Sequence, residues 1–198
     1  KHSISTHIKD RYSIAIYSFD FENEQNYASE LKFEITIDPD AFISGFEANI
    51  DGQIFIGKTK EKETAAKEYS EAKEKDENAI LISQPHKDIP NVFEIKTNID
   101  SKSKISLDIT IEQYLKKQFN FNQLTIQILR NFEKYNIKPT YDEIGFSFDV
   151  FDGCGISDIC VPSSFEKGNV IIDEKTMDNM QQNYTINGRI KTHLNKDD

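Results

Sequence analysis

The stretch from residue 40 to residue 83 reads DAFISGFEANIDGQIFIGKTKEKETAAKEYSEAKEKDENAILIS, and it combines a turn with a change of periodicity. Apolar residues recur from Phe42 to Ile50 and lead into Asp51-Gly52, a dipeptide that tolerates the positive φ angles of a tight hairpin turn. The residues that follow, QIFI, supply a return strand. This order predicts a two-stranded hairpin.

The next segment has a helical period. Ala65, Ala66, Tyr69 and Ala72 fall on one side of a 3.6-residue helix, while Lys and Glu occupy the other positions. The pattern predicts a helix at about residues 58–77 that lies on the surface and contacts the sheet through a thin alanine and tyrosine stripe. The stripe is too short for the sustained heptads of a coiled coil.

Four segments outside this block alternate between apolar and polar residues with a period of two: 31–37, 105–111, 124–128 and 146–150. Alternation of this kind buries one face of a strand and is typical of antiparallel sheets. Many such strands with one substantial helix predict a mainly β fold. We expect an antiparallel β-sandwich with one inserted surface helix.

Composition limits the classes of function. The chain has 198 residues, of which 37% are apolar, so it can bury a core of its own. A formal net charge of -10 argues against a nucleic-acid partner, since phosphate binding needs a Lys and Arg surface. No apolar run reaches the roughly 18 residues that a membrane span needs, and the first residues lack the apolar region of a signal peptide.

Two cysteines, Cys154 and Cys160, lie in the segment FDGCGISDICVP. Five residues separate them, and Gly153 and Gly155 permit turning, so a small disulfide is geometrically plausible in an oxidising compartment. Two reduced thiols are the alternative, and the residues leave both open. The four histidines are scattered without ligand spacing near a cysteine, so we expect no metal or cofactor site.

The sequence shows no catalytic motif. Gly-rich phosphate loops, a nucleophile elbow and paired metal-binding histidines are missing from it. Asn183 begins the glycosylation tripeptide Asn-Tyr-Thr, which would matter in a secreted protein. In a chain so rich in asparagine one match is expected by accident, and the strand-like surroundings leave open whether this asparagine is buried.

The order of these segments resembles the VIT domain of the inter-alpha-trypsin inhibitor heavy chains. The similar motifs are AFIS-x-F from residue 41, IDG from residue 50, KEKE from residue 60 with the A-x-x-x-Y helix body, and IEQYLKK from residue 111. A later stretch, FSFDVFDGCGISDICV from residue 146, resembles the heavy-chain segment that carries a GIS tripeptide. The resemblance implies a VIT domain at 1–130 and a β-rich extension at 131–198 that packs on it and leads toward a von Willebrand A domain.

What the resemblance implies about function is a non-catalytic, secreted interaction module. Its expected partners are proteins and a following von Willebrand A domain of the same chain, with matrix glycosaminoglycan such as hyaluronan held by parts absent from this sequence. An intracellular VIT protein of the vault and ADP-ribosyltransferase type is the alternative. A third and weaker hypothesis is an acidic β-sandwich glycosidase with two facing carboxylates.

Overall fold

A computed structural model describes residues 2–86, 88–118, 121–126, 143–157, 170–178, 180 and 182–191. These residues form thirteen strands and one helix. In chain order these are β1 (His2–Lys9), β2 (Tyr12–Glu22), β3 (Ser29–Thr36), β4 (Phe42–Ile50), β5 (Gln53–Ile56), α1 (Lys62–Glu74), β6 (Ala79–Ser83), β7 (Val92–Ile99), β8 (Lys104–Tyr114), β9 (Lys116–Gln118), β10 (Phe121–Gln123), β11 (Glu143–Phe151), β12 (Val170–Met177) and β13 (Asn183–Lys191).

The strands form one large sheet, one small sheet and a short hairpin. The large sheet has eight strands in the order β12-β13-β11-β1-β2-β8-β4-β5, and the small sheet has three in the order β3-β7-β6. The hairpin pairs β9 with β10. Alternate residues of β2 and β8 in the large sheet are buried, as the period-two pattern requires, so these strands have a core side and an outer side.

The two larger sheets pack face to face around one apolar core. Phe19 of β2 lies 5.3 Å from Phe33 of β3 between ring centroids, which places the two sheets in direct contact. Leu107 and Ile95, one from each sheet, are completely buried in the same cluster. The predicted β-sandwich with one surface helix is therefore confirmed for the described part of the chain.

Helix α1 is shorter than the predicted 58–77 and lies beside β6. Tyr69 is its one buried residue, and its hydroxyl donates to Glu30 Oε1 of β3 at 2.9 Å. Lys73 Nζ donates to the other oxygen of the same carboxylate at 2.8 Å. The helix ends where Asp76 adopts a positive φ of 55° and the Glu77 amide returns to the carbonyl of Ala72.

A buried carboxylate lies on the face of the small sheet that carries Glu30. Glu94 of β7 is paired with Lys32 of β3, and its Oε1 lies 2.8 Å from Lys96 Nζ. Burial alone would raise the pKa of Glu94, but the hydrogen bonds and charges of the two lysines outweigh it and lower that pKa. A paired carboxylate therefore joins two of the three strands.

The predicted hairpin is confirmed, because β4 and β5 pair around Asp51-Gly52 with positive φ at both residues. Two features differ from expectation. Strands β1 and β11 pair in parallel, with Ser3 opposite Gly145, and this pairing brings β11, β12 and β13 into the same sheet. The strand expected at 124–128 is not formed over residues 124–126, which follow β10 in irregular conformation, and its last two residues lie outside the described part.

Candidate interaction surface

The outer face of the large sheet carries a row of side chains that crosses six strands. The pairing registers place each member opposite the next, from β4 through β8, β2, β1 and β11 to β13. We call this the cross-sheet row, and its members are Phe42, Glu112, Ile14, His7, Asp149 and Thr185. These residues are far apart in sequence and are brought together by the order of the strands alone.

One end of the row is apolar and exposed. Tyr12 and Tyr114 are cross-strand neighbours next to the row, with ring centroids 4.9 Å apart in an edge arrangement. Tyr114 is 70% exposed, Phe42 51% and Ile14 38%. We call these four residues the aromatic patch. Exposed apolar patches on a folded domain commonly mark contact sites.

A single carboxylate lies at the centre of the aromatic patch. Glu112 stands opposite both Phe42 and Ile14, and it accepts hydrogen bonds from the hydroxyls of Ser44 and Tyr12. These two bonds lower the pKa of Glu112, so its carboxylate stays charged at neutral pH. The hydrogen bond to Glu112 also raises the pKa of Tyr12, so the Tyr12 phenol stays protonated and remains a donor.

The other end of the row lines an open depression of about 300 Å³. His7 Nδ1 lies 3.5 Å from Asp149 Oδ2, and the Thr185 hydroxyl donates to Asp149 Oδ1 at 2.9 Å. In a nucleophilic triad the histidine lies between the hydroxyl and the carboxylate. Here the carboxylate lies between the other two groups, so the Thr185 hydroxyl donates to Asp149 and not to the His7 imidazole.

Of the predicted site residues, only Asn183 lines this depression in the described part of the chain. Cys154 is exposed in the turn that follows β11, while Cys160 lies outside the described residues. The disulfide therefore stays a prediction. Asn183 is exposed at the start of β13 and lines the depression, with its amide donating to Asp178 Oδ2 at 2.7 Å. Its glycosylation also stays a prediction.

Sequence reasoning did not identify the aromatic patch or the histidine and aspartate of the row. Their only sequence signal is that they occupy polar-side positions of alternating strands, as many other residues do. Within the described ranges, no three His, Cys, Asp or Glu side chains come together to hold a metal ion. The one described helix is not long and apolar enough to cross a membrane.

Comparison with known proteins identifies the family. The family model described as "Vault protein inter-alpha-trypsin domain" matches residues 1–111. Inter-alpha-trypsin inhibitor heavy chain H1 of Homo sapiens is 30% identical over 162 residues, which is 82% of this chain and 17% of that protein. Inter-alpha-trypsin inhibitor heavy chain H3 of Bos taurus is 26% identical over 162 residues, which again cover 82% of this chain and 17% of that protein. The chain thus spans about a sixth of the length of these relatives. It belongs to the vault protein inter-alpha-trypsin (VIT) domain family.

Proposed function

We propose that this chain is a non-catalytic interaction and scaffold module of a secreted protein similar to the inter-alpha-trypsin inhibitor heavy chains. In this proposal the module contacts proteins, including a following von Willebrand A domain of the same polypeptide. It contributes to hyaluronan-associated matrix assemblies through parts of the protein outside this chain. The exposed aromatic patch on the outer face of the large sheet is the observation that carries the proposal.

The patch has the aromatic content of the central part of a protein interface, and the one carboxylate at its centre, Glu112, already accepts hydrogen bonds from Ser44 and Tyr12. Interface centres are enriched in aromatic residues, and a few large side chains supply most of the binding energy. Tyr114 and Phe42 are rigid aromatic side chains that already project from a sheet. Ordering them against a partner costs little conformational entropy, because the sheet fixes their backbone.

The chemistry of the row supports binding rather than turnover. A glycosidase acid needs a raised pKa so that it is protonated before the reaction. The Ser44 and Tyr12 hydrogen bonds lower the pKa of Glu112 instead. At the depression, Thr185 donates its hydrogen bond to Asp149, so that hydroxyl is not oriented toward the His7 imidazole as a nucleophilic triad requires.

Charge supports assigning hyaluronan to other parts of the protein. Hyaluronan is a polyanion, and this chain has a formal net charge of -10. Glu47 of β4 and Asp108 of β8 face each other on the outer face, four residues along β8 from the charged Glu112. This face therefore repels a polyanion at ionic strengths where charges are not screened.

Hydroxyl-radical footprinting of the isolated 198 residues and of the full-length protein tests the proposal. We expect Tyr114 and Phe42 to be oxidised readily in the isolated chain and protected in the full-length protein. Tyr27 is a matched control, since it is 66% exposed and lies in the loop between β2 and β3, away from the patch. Equal oxidation of Tyr114 in both proteins, normalised to Tyr27, would refute the role given to the patch.

Thiol titration distinguishes the secreted protein from the intracellular alternative. Natively isolated protein should show no titratable thiol before reduction and two after it, if Cys154 and Cys160 are bridged. Two titratable thiols in unreduced protein, together with no mass change at Asn183 after treatment with an N-glycosidase, would favour the intracellular setting. Neither result depends on the footprinting outcome.

A further inference from the structure

Strand β5 forms one edge of the large sheet in the described part of the chain. Its four residues, QIFI, are all exposed, and Ile54 and Ile56 are 60% and 74% exposed. Phe55, on the opposite face of the strand, is 42% exposed. An edge strand presents a row of backbone donors and acceptors to any chain that can pair with it.

The hairpin register shows which backbone groups of β5 face outward. Ile50 pairs with Gln53 next to the two-residue turn, and Ala48 pairs with Phe55. The amide of Gly57 donates to the carbonyl of Phe46 at 2.8 Å. In an antiparallel pair the groups of alternate residues point to the partner strand, so odd positions face β4. The N–H and C=O groups of Ile54 and Ile56 therefore point to the open edge.

This edge has few of the features that keep edge strands apart. Native edges are commonly protected by proline, by inward-pointing charges, by bulges or by a covering segment. Strand β5 contains no proline and no charged residue, and its register with β4 is regular. The high exposure of its side chains means that no described segment of this chain covers them.

We infer that β5 pairs with β5 of a second copy of this chain, antiparallel and in a symmetric register centred on Phe55. Ile54 then stands opposite Ile56 of the partner subunit, and the reverse pair is identical. Each pair exchanges two backbone hydrogen bonds, which gives four in total and uses every outward group of Ile54 and Ile56. The two large sheets become continuous.

Three features favour a second copy as the occupant. The register is self-complementary, because apolar residues meet apolar residues on both faces of the strand. Charge is complementary as well: Lys58 comes close to Asp51 of the partner subunit, since residue 58 then opposes residue 52. Lys58 has no ion pair in the described residues, and both side chains are exposed. This inference does not rest on the aromatic patch.

The expected dimer is weak. Three apolar side chains per copy bury much less than the roughly 800 Å² per partner of a standard interface. We therefore expect a reversible dimer with a dissociation constant of roughly 10 μM to 1 mM. Sedimentation velocity on the isolated chain, from about 1 μM to 1 mM, covers this range.

The variant Ile56→Lys places two like charges on one face of the joined sheet, on either side of the central Phe55 pair, and should weaken the dimer at least about tenfold, leaving the monomer fold unchanged by circular dichroism. Ile89→Lys is the matched control, because Ile89 is 47% exposed and lies away from β5. It should dimerise as the parent does. A parent chain that remains monomeric at about 1 mM overturns the inference, and so does a dimer that Ile56→Lys leaves intact.

Cysteine cross-linking tests the register on a Cys154→Ser, Cys160→Ser background. Phe55 faces its own copy in a non-hydrogen-bonded pair, where Cβ atoms are about 4.5–5.5 Å apart, near disulfide range. Phe55→Cys should therefore oxidise to a covalent dimer. Ile54→Cys should not, because its two copies are offset by two residues and their Cα atoms lie more than about 7 Å apart. Equal cross-linking of both variants would overturn the symmetric register.

Discussion

Replacement of Leu107 by alanine tests the sandwich core, because Leu107 is completely buried on β8 between its cross-strand neighbours Phe19 and Ala48. The change removes three buried carbon groups at about 0.8 kcal/mol each, or about 2.4 kcal/mol of transfer free energy. Ala48 is too small to fill the space, so a cavity term is added. We expect the free energy of unfolding to fall by about 3 to 4 kcal/mol.

Urea unfolding followed by far-UV circular dichroism measures this loss, since the chain has no tryptophan for fluorescence. The melting temperature should fall by roughly 6 to 16 °C, at about 2 to 4 °C per kcal/mol for a chain of this length. Ile89→Ala is the control: Ile89 is 47% exposed and should lose less than about 1 kcal/mol. If Leu107→Ala loses no more free energy of unfolding than Ile89→Ala, and the dependence of that free energy on urea concentration is unchanged, the two-sheet core is wrong.

Two further predictions concern the sheets. Gly188→Ala should lower the free energy of unfolding by about 1 to 3 kcal/mol, because its added Cβ would lie 2.3 Å from the Ile171 carbonyl oxygen. Gly145→Ala is the control, because the atom nearest its added Cβ is 3.8 Å away and its stability should be unchanged. Equal urea midpoints for the two variants would contradict this. Pairing with the two lysines lowers the pKa of Glu94 in the folded state. The stability that this pairing contributes is therefore fully present above the unfolded-state pKa of about 4.3, and it is lost as pH falls through the folded-state pKa. The stability difference between the parent and Glu94→Gln should therefore narrow on acidification, and a constant difference in urea midpoints from neutral to acid pH would count against the pairing.

Local patterns in the sequence predicted the elements that depend on neighbouring residues. The Asp51-Gly52 turn and the helix containing Tyr69 are indicated by neighbouring residues in the sequence, and both are present. The helix bounds were too wide because residues 58–61 share the lysine and glutamate composition of the helix but lie before its first turn. Composition alone does not distinguish these positions.

Features that depend on strand order were not predictable. A period of two shows which residues share a face of a strand, but it does not show which strand lies beside it. The parallel pairing of Ser3 with Gly145 joins residues 142 positions apart, and no local signal specifies it. The aromatic patch has the same origin, because Tyr12 and Tyr114 become neighbours through the pairing of β2 with β8.

Strand β4 connects the two proposed surfaces of this module. Phe42 of the aromatic patch lies at its beginning, and its last residues pair with the edge strand β5. An antiparallel edge pair has its twofold axis perpendicular to the sheet, so side chains of one face stay on one side of the joined sheet. A β5-paired dimer would therefore present two aromatic patches on the same side. A partner with two matching sites would gain from effective concentration, even though each contact and the dimer itself are weak.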